Sequence, residues 1–477
     1  MKRDLNFQKL FIAGEWVPSH SSQWIQVENP ATGEIFARVP AGDGEDVERA
    51  VDAAHKAFLG WWDTPVEKRK AYLQKALNLM YEHLDEIAHL EMMELGAPAG
   101  WAMMAHAKGP LKRYAHFLEA VEEFPFQEEM GRSKVIKEPV GVVACLTPWN
   151  YPLEQIHQKV VPAMLTGNTV VLKPSQVTPL SAYVLCQALK DADLPNGVFN
   201  LVTGRGGEVG NLMCTHPKVD MVSFTGSTSG GKEVGKLALD SVKKIALELG
   251  GKSALVVLKG GNLEGAVQTA LASTFNNTGQ TCSALTRLIV PRKDLPEIEE
   301  LAAKYYDHYK VGDPSDPETR IGPLAGRKQF ARVKGYIEEG IREGAKLLLG
   351  AVPEEGGPGY FVNPVVFTDV KGDMTIAQEE IFGPVLSIIP YDHTEEAIDL
   401  ANGTIYGLDG AVFGPAEEAV QVAGHMRTGR VYINGGRWDP NGPFGGYKQS
   451  GLGRESGIYG LAEYVEIKSV FDRDQRF

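Results

Sequence analysis

The feature that most constrains the fold is a regular alternation of short apolar runs and helical segments that starts at residue 140. The run at 140–146 is continuously apolar, which is typical of a parallel strand covered on both faces. The pattern continues with predicted strands at 169–172, 198–202 and 221–224, and with predicted helices at 153–165, at 180–189 and from near Ser229. This alternation predicts an open α/β sheet that binds ligands at the carboxyl ends of its strands.

Polar residues just beyond these strand ends are therefore candidate ligand contacts. They are Asn150, Lys173 and Gln176, together with the loop 225–231, which joins a predicted strand to a predicted helix. Backbone N–H groups at a helix N-terminus attract phosphate, but the loop lacks the regular GxGxxG dinucleotide fingerprint. The glycines at 204–207 come closer to that fingerprint, although we expect them to form a turn.

One cysteine, Cys282, lies in a loop of glycine and small polar residues at 276–284. A predicted helix at 263–275 precedes this loop, and a predicted strand at 285–290 follows it. Because a thiolate is a strong nucleophile, a cysteine on a tight polar loop is a candidate for covalent catalysis. The alternative is a small buried hydrophobe, which is what most free cysteines are.

A candidate base is Glu248, the single acid in an apolar strand that ends at Gly250 and Gly251. Apolar surroundings would raise the pKa of this carboxyl group toward the working range of a general base. However, strand alternation places Glu248 on the face opposite to Leu247 and Leu249. The pattern therefore does not decide between a buried base and an ordinary exposed glutamate.

Charge and cysteine usage exclude several classes of function. The net charge of -13 argues against a general nucleic-acid binder or a membrane-surface protein. The four cysteines show no CxxC spacing, which argues against a zinc site or a disulfide framework and favours a reducing compartment. We find no signal-peptide pattern at the N-terminus and no apolar run of membrane-spanning length, and we expect a cytoplasmic protein without a bound metal.

The rest of the chain is also read as alternating elements. The N-terminal third is predicted to contain a strand pair at 11–17 and helices at 46–58, 68–95 and 105–121. In the C-terminal half we predict strands at 253–258, 385–389 and 430–434, and helices at 295–309, 328–342 and 395–401.

Seven motifs, in this order along nearly the whole chain, resemble the NAD(P)-dependent aldehyde dehydrogenase superfamily. They are TPWNYP at 147–152, KPS at 173–175, FTGST at 224–228, LELGGK at 247–252, GQTC at 279–282, EEIFGPV at 379–385 and PFGGYKQSG at 443–451. The resemblance implies an α/β fold with a Rossmann-like cofactor domain (1–118 and 139–250) and an α/β catalytic domain (251–453). It also implies a small β oligomerisation element (119–138 and 454–477, with a closing strand at 464–471), and hence a homodimer or homotetramer.

The resemblance also implies roles for individual residues. Cys282 would attack the aldehyde carbon, the Asn150 amide and the Cys282 N–H would stabilise the oxyanion, and Glu248 would activate water to hydrolyse the thioester. Lys159 matches a lysine that is often near the active site. The cofactor contacts would be Thr147, Pro148, Trp149, Lys173, Ser175, Gln176, Gly206, Phe224, Thr225, Gly226, Ser227, Leu249, Glu380 and Phe382.

Tyr151 and Trp438 are the candidate walls of the aldehyde tunnel, with plain structural packing as the alternative for each. Glu154 and His157 would either make that tunnel polar or face solvent.

The implied reaction is oxidation of an aldehyde to a carboxylic acid with NAD or NADP. A CoA-acylating relative and a catalytically silent binding protein are the alternatives. Glu248 disfavours the first, and the set Cys282, Asn150, Glu248 and Glu380 disfavours the second. The chain departs from many NAD-preferring relatives at Gln176, where they carry a glutamate. Because a glutamine does not repel a 2′-phosphate, we expect NADP to be accepted as well as NAD.

Overall fold

The computed structural model of the protein describes residues 7–473. Its strands are β1 (Leu10–Ile12), β2 (Glu15–Val17), β3 (Trp24–Asn29), β4 (Glu34–Pro40), β5 (Gln127–Met130), β6 (Ser133–Pro139), β7 (Val142–Leu146), β8 (Thr169–Lys173), β9 (Phe199–Leu201), β10 (Met221–Thr225), β11 (Lys244–Glu248), β12 (Ala254–Val257), β13 (Arg287–Pro291), β14 (Lys346–Leu349), β15 (Val365–Thr368), β16 (Val385–Tyr391), β17 (Gly410–Phe413), β18 (Tyr432–Ile433), β19 (Gly451–Leu452) and β20 (Val465–Val470).

The α-helices are α1 (Gly44–Trp62), α2 (Val66–Tyr81), α3 (Leu84–Leu95), α4 (Ala99–Trp101), α5 (Gly109–Ala120), α6 (Pro152–Leu165), α7 (Ser181–Asp191), α8 (Asn211–Thr215), α9 (Thr228–Leu239), α10 (Leu263–Phe275), α11 (Leu295–Tyr306), α12 (Arg327–Arg342), α13 (Thr375–Gln378), α14 (Thr394–Asn402), α15 (Ala416–His425) and α16 (Gly457–Ala462). Ala102–Lys108 and Gly206–Gly210 are π-helical, and Val121–Glu123, Asn276–Gly279, Arg292–Asp294 and Lys448–Ser450 are 3₁₀ turns. No helix in the described range is long and apolar enough to cross a bilayer.

The first large sheet has eight strands in the order β19-β11-β10-β7-β8-β9-β1-β2. The five strands from β11 to β9 are parallel to one another. From β7 the chain winds outward through β8 and β9, and then returns to the other side of β7 as β10 and β11. The order therefore reverses between β7 and β10, and such a switch point opens a crevice at the carboxyl ends of the strands.

The second large sheet has seven strands in the order β14-β15-β16-β13-β12-β17-β18, and its strands are parallel except for β14. Strands β12, β13, β15, β16 and β17 are wholly buried, and helices α10, α12 and α15 carry buried apolar faces into the cores beside this sheet. The two sheets together give the mixed α/β architecture that the alternation predicts.

Two smaller sheets complete the fold. Strands β3 and β4 form a hairpin, and β20 pairs antiparallel with β6, which pairs with β5. A hairpin and a closing strand thus occur where the resemblance implies them, while the division into domains remains a prediction. Two segments from outside the central αβ run also join the first sheet, namely the β1–β2 pair and β19.

Three predicted elements differ from the structure. The helix predicted at 68–95 is two helices, because the chain turns at Glu82 and His83, and the His83 ring contacts Glu86 at 2.9 Å in the first turn of α3. The strand predicted at 430–434 is reduced to β18. It ends because Asn434 takes a left-handed conformation (φ 50°) and its side chain makes two hydrogen bonds with the backbone of Gly414.

The helix predicted at 105–121 is π-helical over its first turns. Pro110 has no N–H to donate to the carbonyl of His106, and its ring would press on that carbonyl in a regular helix. The helix widens just before this proline, so that the Gly109 N–H donates to the Met104 carbonyl, five residues back.

Candidate active site

A cleft of about 620 Å³ opens at the switch point between β7 and β10 and is closed on its other side by residues of the second half of the chain. Its lining includes ten residues that the sequence predicts as site residues and eight that it does not. The first group is Pro148, Trp149, Asn150, Thr225, Gly226, Ser227, Leu249, Cys282, Glu380 and Phe382. The second is Val177, Ser229, Gly250, Ala325, Gly326, Lys328, Gln329 and Arg332.

The loop before Cys282 is held in an unusual backbone conformation. Asn277, Thr278 and Gly279 follow one another with φ values of 53°, 55° and 72°. The left-handed region is costly for a β-branched residue such as threonine and allowed for glycine. A Cβ atom on Gly279 would also overlap the backbone of Gly383. Glycine is therefore required at this position both by the backbone conformation and by the lack of space. The half-buried Cys282 follows this turn into the cleft.

The side-chain amide of Asn150 is oriented by the same loop. Asn150 Nδ2 donates to the Gln280 carbonyl at 2.9 Å, and Asn277 Nδ2 donates to the Asn150 carbonyl at 2.8 Å. A primary amide has two N–H groups, so the bond to Gln280 fixes the plane of the Asn150 amide while a second N–H remains for a ligand. Asn150 and Cys282 are thereby tied to one rigid unit at one wall of the cleft.

The thiol of Cys282 is in a desolvated, negatively charged environment. Burial raises its pKa to about 12, with further contributions from the carboxyl groups of Glu380 and Glu248. Burial likewise raises the pKa of Glu380 to about 7, although the N–H of Gly251 donates to Glu380 Oε1 at 3.0 Å. The ligand-free site therefore holds a neutral thiol at neutral pH.

Glu248 is buried, with 3% of its surface exposed, which strand alternation left undecided. Residues from far along the chain cover its face: β19 pairs with the end of β11, and a Cβ atom on Gly445 would lie 2.7 Å from Glu248 Oε1. Within residues 7–473, neither Glu248 oxygen has a hydrogen-bond partner. Burial raises the pKa of Glu248 well above its ordinary value, Glu455 raises it further, and Lys159 lowers it.

Lys159 is also buried and forms an ion pair with Glu455, with 2.7 Å between Nζ and Oε1. It does not line the cleft. Its position beside Glu248 and Glu455 makes it part of the charged layer behind the cleft rather than a group that reaches the thiol.

The turn after β10 has the features of a ligand-binding turn. Ser227 is the N-cap of α9, and its Oγ accepts the N–H of Gly230 at 3.1 Å. The ring of Phe224 lies under the turn in space that a side chain at Gly226 would occupy. Thr225 Oγ1 is buried and has no partner within the described range, yet Thr225 lines the cleft. These features fit a phosphate-bearing, polar ligand.

Phe382 and Trp149 face each other, with ring centroids 5.3 Å apart at 87°. Phe382 has a left-handed backbone (φ 61°), which is a strained conformation for a bulky residue. Two side chains of α12 hold this segment: Gln329 Nε2 donates to the Phe382 carbonyl at 2.6 Å, and Arg332 donates to the carbonyls of Glu380 and Ile381. The sequence predicted α12 as a helix and gave no role to Gln329 or Arg332. The cluster of polar residues in the first two turns of α12 is the signal that could have indicated such a role.

Several predicted contacts lie outside the cleft lining. The buried Lys173 donates from Nζ to its neighbour Pro174 at 2.9 Å, and burial lowers the pKa of Lys173 to about 8. Gln176 and Gly206 are exposed. Among the others, Thr147 is buried, Ser175 Oγ accepts the Val177 N–H at 3.2 Å, and Phe224 packs beneath the turn described above.

The two candidate tunnel residues, Tyr151 and Trp438, have different neighbours. Tyr151 stacks on His106, and its hydroxyl lies 3.0 Å from Thr281 Oγ1, next to Cys282. Trp438 is 39% exposed, and the guanidinium carbon of Arg113 lies 4.3 Å from the centroid of its ring. Arg113 also pairs with the half-buried Glu154.

The remaining helix residue, His157, is fully buried and bonds the Pro110 carbonyl. His157 therefore does not face solvent, which rules out one of the two alternatives that the sequence left open.

Comparison with known proteins gives this site its context. A sequence profile described as the aldehyde dehydrogenase family matches residues 16–470. The chain belongs to the aldehyde dehydrogenase family. This membership confirms the predicted fold class, aldehyde oxidation as the activity, and NAD(P) as the cofactor.

The relatives match over their whole length. A 3-succinoylsemialdehyde-pyridine dehydrogenase from a Pseudomonas species is 44% identical over 98% of both chains. Among solved structures, a mutant of aldehyde dehydrogenase C from Pseudomonas syringae, complexed with NAD+ and octanal, is 43% identical with a TM-score of 0.96, covering 98% of this chain and 97% of that one. An aldehyde dehydrogenase from Mycobacterium tuberculosis, complexed with NAD+, is 41% identical with a TM-score of 0.94, covering 98% of each.

The environment of Cys282 predicts an effect of Glu380 on thiol reactivity. Above about pH 7 the Glu380 carboxylate is charged and raises the thiol pKa, so Glu380→Gln should increase the rate of Cys282 alkylation by iodoacetamide at pH 8–9. A pKa lower by about half to one unit gives about 3- to 10-fold more thiolate. Glu379→Gln is the matched control, because the neighbouring Glu379 is exposed and bonded to Tyr336. Equal alkylation rates in both variants would contradict this prediction.

Proposed function

We propose that the protein is a hydrolytic aldehyde dehydrogenase in which Cys282 is the nucleophile and Glu248 activates the water that releases the acid. The observation that carries this proposal is the joint placement of Cys282 and Asn150 at one wall of the cleft, with the Asn150 amide oriented by the carbonyl of Gln280. A nucleophile and an oxyanion donor held on one unit are what acyl transfer requires.

In the first step the sulfur of Cys282 bonds to the aldehyde carbon, and the carbonyl π electrons move to oxygen. The free N–H of Asn150, together with the Cys282 N–H, would stabilise that oxyanion. Because the resting thiol is neutral, its proton must leave as the C–S bond forms. That proton leaves to solvent, and Glu248 acts only in the later hydrolysis step.

The cofactor site is built from residues at the strand ends. Ser227, Thr225, Trp149, Phe382 and Glu380 would hold NAD(P): the α9 N-terminus suits a phosphate, and the Glu380 carboxylate suits a ribose hydroxyl. Bound there, NAD(P) would supply the two-electron oxidant, as the acceptor of a hydride from the carbon that Cys282 holds. This leaves a thioester on Cys282.

Glu248 then takes a proton from water, whose oxygen attacks the thioester carbon; the C–S bond breaks, the acid leaves, and Glu248 returns the proton to the Cys282 sulfur, which restores the neutral thiol. Burial suits Glu248 to this task because a carboxylate with a raised pKa is a stronger base when it ionises. The Lys159–Glu455 ion pair supports the site by placing charge beside Glu248.

Two substitutions separate these steps. Cys282→Ala should abolish aldehyde-dependent NAD(P)H formation while NAD binding persists. Glu248→Gln should allow a burst of about one NADH per active site, followed by steady turnover lower by about 10²–10⁴-fold, because the general base is lost. Stopped-flow absorbance measures both. Normal turnover of Cys282→Ala would refute the proposal, and relief of the slow phase by CoA would favour the CoA-acylating alternative.

We propose that Gln176, exposed after β8, contributes to cofactor choice with Lys173. Two unit charges about 4 Å apart repel by roughly 1 to 4 kcal/mol between water-like and surface-like dielectric, so a glutamate at position 176 would disfavour a 2′-phosphate, whereas Gln176 tolerates it. The positive charge on Lys173 favours the phosphate. The protein should therefore accept NADP in addition to NAD, and no preference between the two is assigned.

Replacing Gln176 by Glu should raise the NAD-over-NADP ratio of kcat/KM by at least about tenfold, which corresponds to roughly 1.4 kcal/mol. Gln74→Glu, at an exposed position on α2, adds the same charge elsewhere and should leave the ratio unchanged. Steady-state kinetics with both cofactors provide the measurement. An unchanged ratio in the Gln176 variant, or rejection of NADP by the unmodified enzyme, would remove Gln176 from this role.

We propose that the aldehyde reaches Cys282 past Tyr151, with Trp438 at the outer end of the path. Tyr151 supplies an aromatic wall whose hydroxyl is already bonded to Thr281. The ring of Trp438 is held by Arg113, whose charge is balanced by Glu154. This path favours an aldehyde with an apolar or aromatic tail, in keeping with the octanal bound to the Pseudomonas syringae relative and with the pyridine-containing compound in the other relative's name.

We also propose a cytoplasmic location. All four cysteines are free, and Cys145, Cys186 and Cys214 are buried while Cys282 is half-buried. A nucleophilic thiol and three unpaired thiols suit a compartment that keeps cysteines reduced.

We propose that β20 joins subunits in a homodimer or homotetramer. It is an edge strand of its sheet, with Ile467 69% exposed and Phe471, just beyond it, 76% exposed. An edge strand that exposes an apolar side chain beside its unpaired backbone groups is a template for pairing with another chain.

Ile467→Asp should therefore weaken assembly, which light scattering coupled to gel filtration would show as a lower molar mass. Leu59→Asp is the control, because Leu59 is 65% exposed on the surface of α1. If the Ile467 variant keeps the molar mass of the unmodified protein, β20 is not the interface.

A further inference from the structure

A buried histidine, His106, contacts the catalytic loop from behind. It lies in the π-helical segment Ala102–Lys108, and 1% of its surface is exposed. Its Nε2 is 3.1 Å from Asn277 Oδ1, and its ring stacks on Tyr151 with centroids 4.9 Å apart at 15°. Asn277 and Tyr151 adjoin the two functional residues on different segments, since Tyr151 follows Asn150 and Asn277 begins the turn before Cys282.

The hydrogen bonds of Asn277 fix the tautomer of His106. Asn277 Nδ2 donates to the carbonyls of Asn150 (2.8 Å) and Gln280 (3.3 Å), so Oδ1 is the acceptor toward the histidine. His106 must therefore carry its proton on Nε2, which leaves Nδ1 as an acceptor facing Glu91 Oε2 at 4.0 Å. Burial lowers the pKa of His106 to about 4 and raises that of Glu91 to about 8, so both groups are neutral at pH 7.

The loop requires a stabilising contact because its backbone conformation is unfavourable on its own. Asn277 and Thr278 are both left-handed, and Thr278 is β-branched. The His106 bond fixes the Asn277 side chain, and that side chain in turn bonds the carbonyls of Asn150 and Gln280. The Gln280 carbonyl also accepts a hydrogen bond from the Asn150 side-chain amide. One buried N–H thus acts on both the nucleophile loop and the oxyanion donor.

We propose that His106 is a positioning residue for acylation: through Asn277 and Tyr151 it holds the Cys282 loop and the Asn150 amide in register. This inference rests on the proposed roles of Cys282 and Asn150. His106 does not line the cleft, so its effect should fall on the rate of the chemical step and not on cofactor affinity.

Three substitutions test the inference. His106→Phe keeps a ring that can stack on Tyr151 but removes the Nε2–H. His106→Gln places an N–H near the position of Nε2, whereas His106→Asn places one near that of Nδ1. The matched control is His157→Phe. His157 is equally buried, and burial also lowers its pKa to about 4, but it bonds the Pro110 carbonyl away from the loop.

The measurement is single-turnover NADH formation with enzyme in excess over octanal, together with the Kd for NAD. We expect His106→Phe and His106→Asn to slow NADH formation by about 10- to 100-fold, since small misplacements of reacting groups carry costs of this size. His106→Gln should recover to within about fivefold of the unmodified enzyme. His157→Phe should stay within about twofold, and all four variants should keep the Kd for NAD within about twofold.

Unchanged NADH formation in His106→Phe would overturn the inference, as would equal slowing of the Gln and Asn variants. If His106→Phe does not fold, the comparison of Gln with Asn decides alone. Cys282→Ala distinguishes the underlying assumption: if that variant still turns over aldehyde, the proposed function itself fails, whereas an inactive Cys282→Ala with a normal His106→Phe overturns the role of His106 alone.

Discussion

The structure of the site depends on close contacts at three glycines, at positions where a Cβ atom does not fit. Gly279 packs against Gly383, and Gly251 packs against the carbonyl of Cys282. Gly250 lies against the carboxyl group of Glu380. Such contacts leave no slack for side-chain adjustment. The distance between the thiol and the far wall of the cleft is therefore fixed by main-chain packing.

Desolvation then sets the charge state of the groups that these contacts bring together. Burial is the largest cause of the raised pKa values of Cys282, Glu380 and Glu248, and of the lowered pKa of Lys173. Every one of these shifts favours the neutral form. Groups whose pKa values are shifted in this way cluster at functional sites.

Elements with a strong local pattern were predictable from the sequence. The helix predicted at 263–275 coincides with α10, and the apolar runs of β7 and β8 were recognised because strands covered on both faces have no polar positions. The position of Cys282 on a turn followed from its glycine and polar neighbours. The roles of individual residues came from the resemblance to a family.

Features that depend on distant parts of the chain were not predictable. The alternation of residues along β11 gives the face of the strand on which Glu248 lies, but it does not show which residues cover that face. The covering residues near Gly445 are far away in sequence. Nothing local marks His106 as a partner of Asn277, because the two are 171 positions apart. The turn at Glu82 and His83 interrupts an apolar spacing that continues across it.

The return of the C-terminal region to the first sheet has a consequence for synthesis of the protein. Strand β19 pairs with β11, and β20 pairs with β6, although some 200 to 330 residues separate the partners in sequence. A chain emerging from the ribosome can form the parallel core from β7 to β11 early. Yet the carboxyl group of Glu248 stays open to water until residues beyond 444 have been made. Catalytic competence is therefore expected only once the chain has been made beyond residue 444, because any shorter chain lacks the residues that cover Glu248.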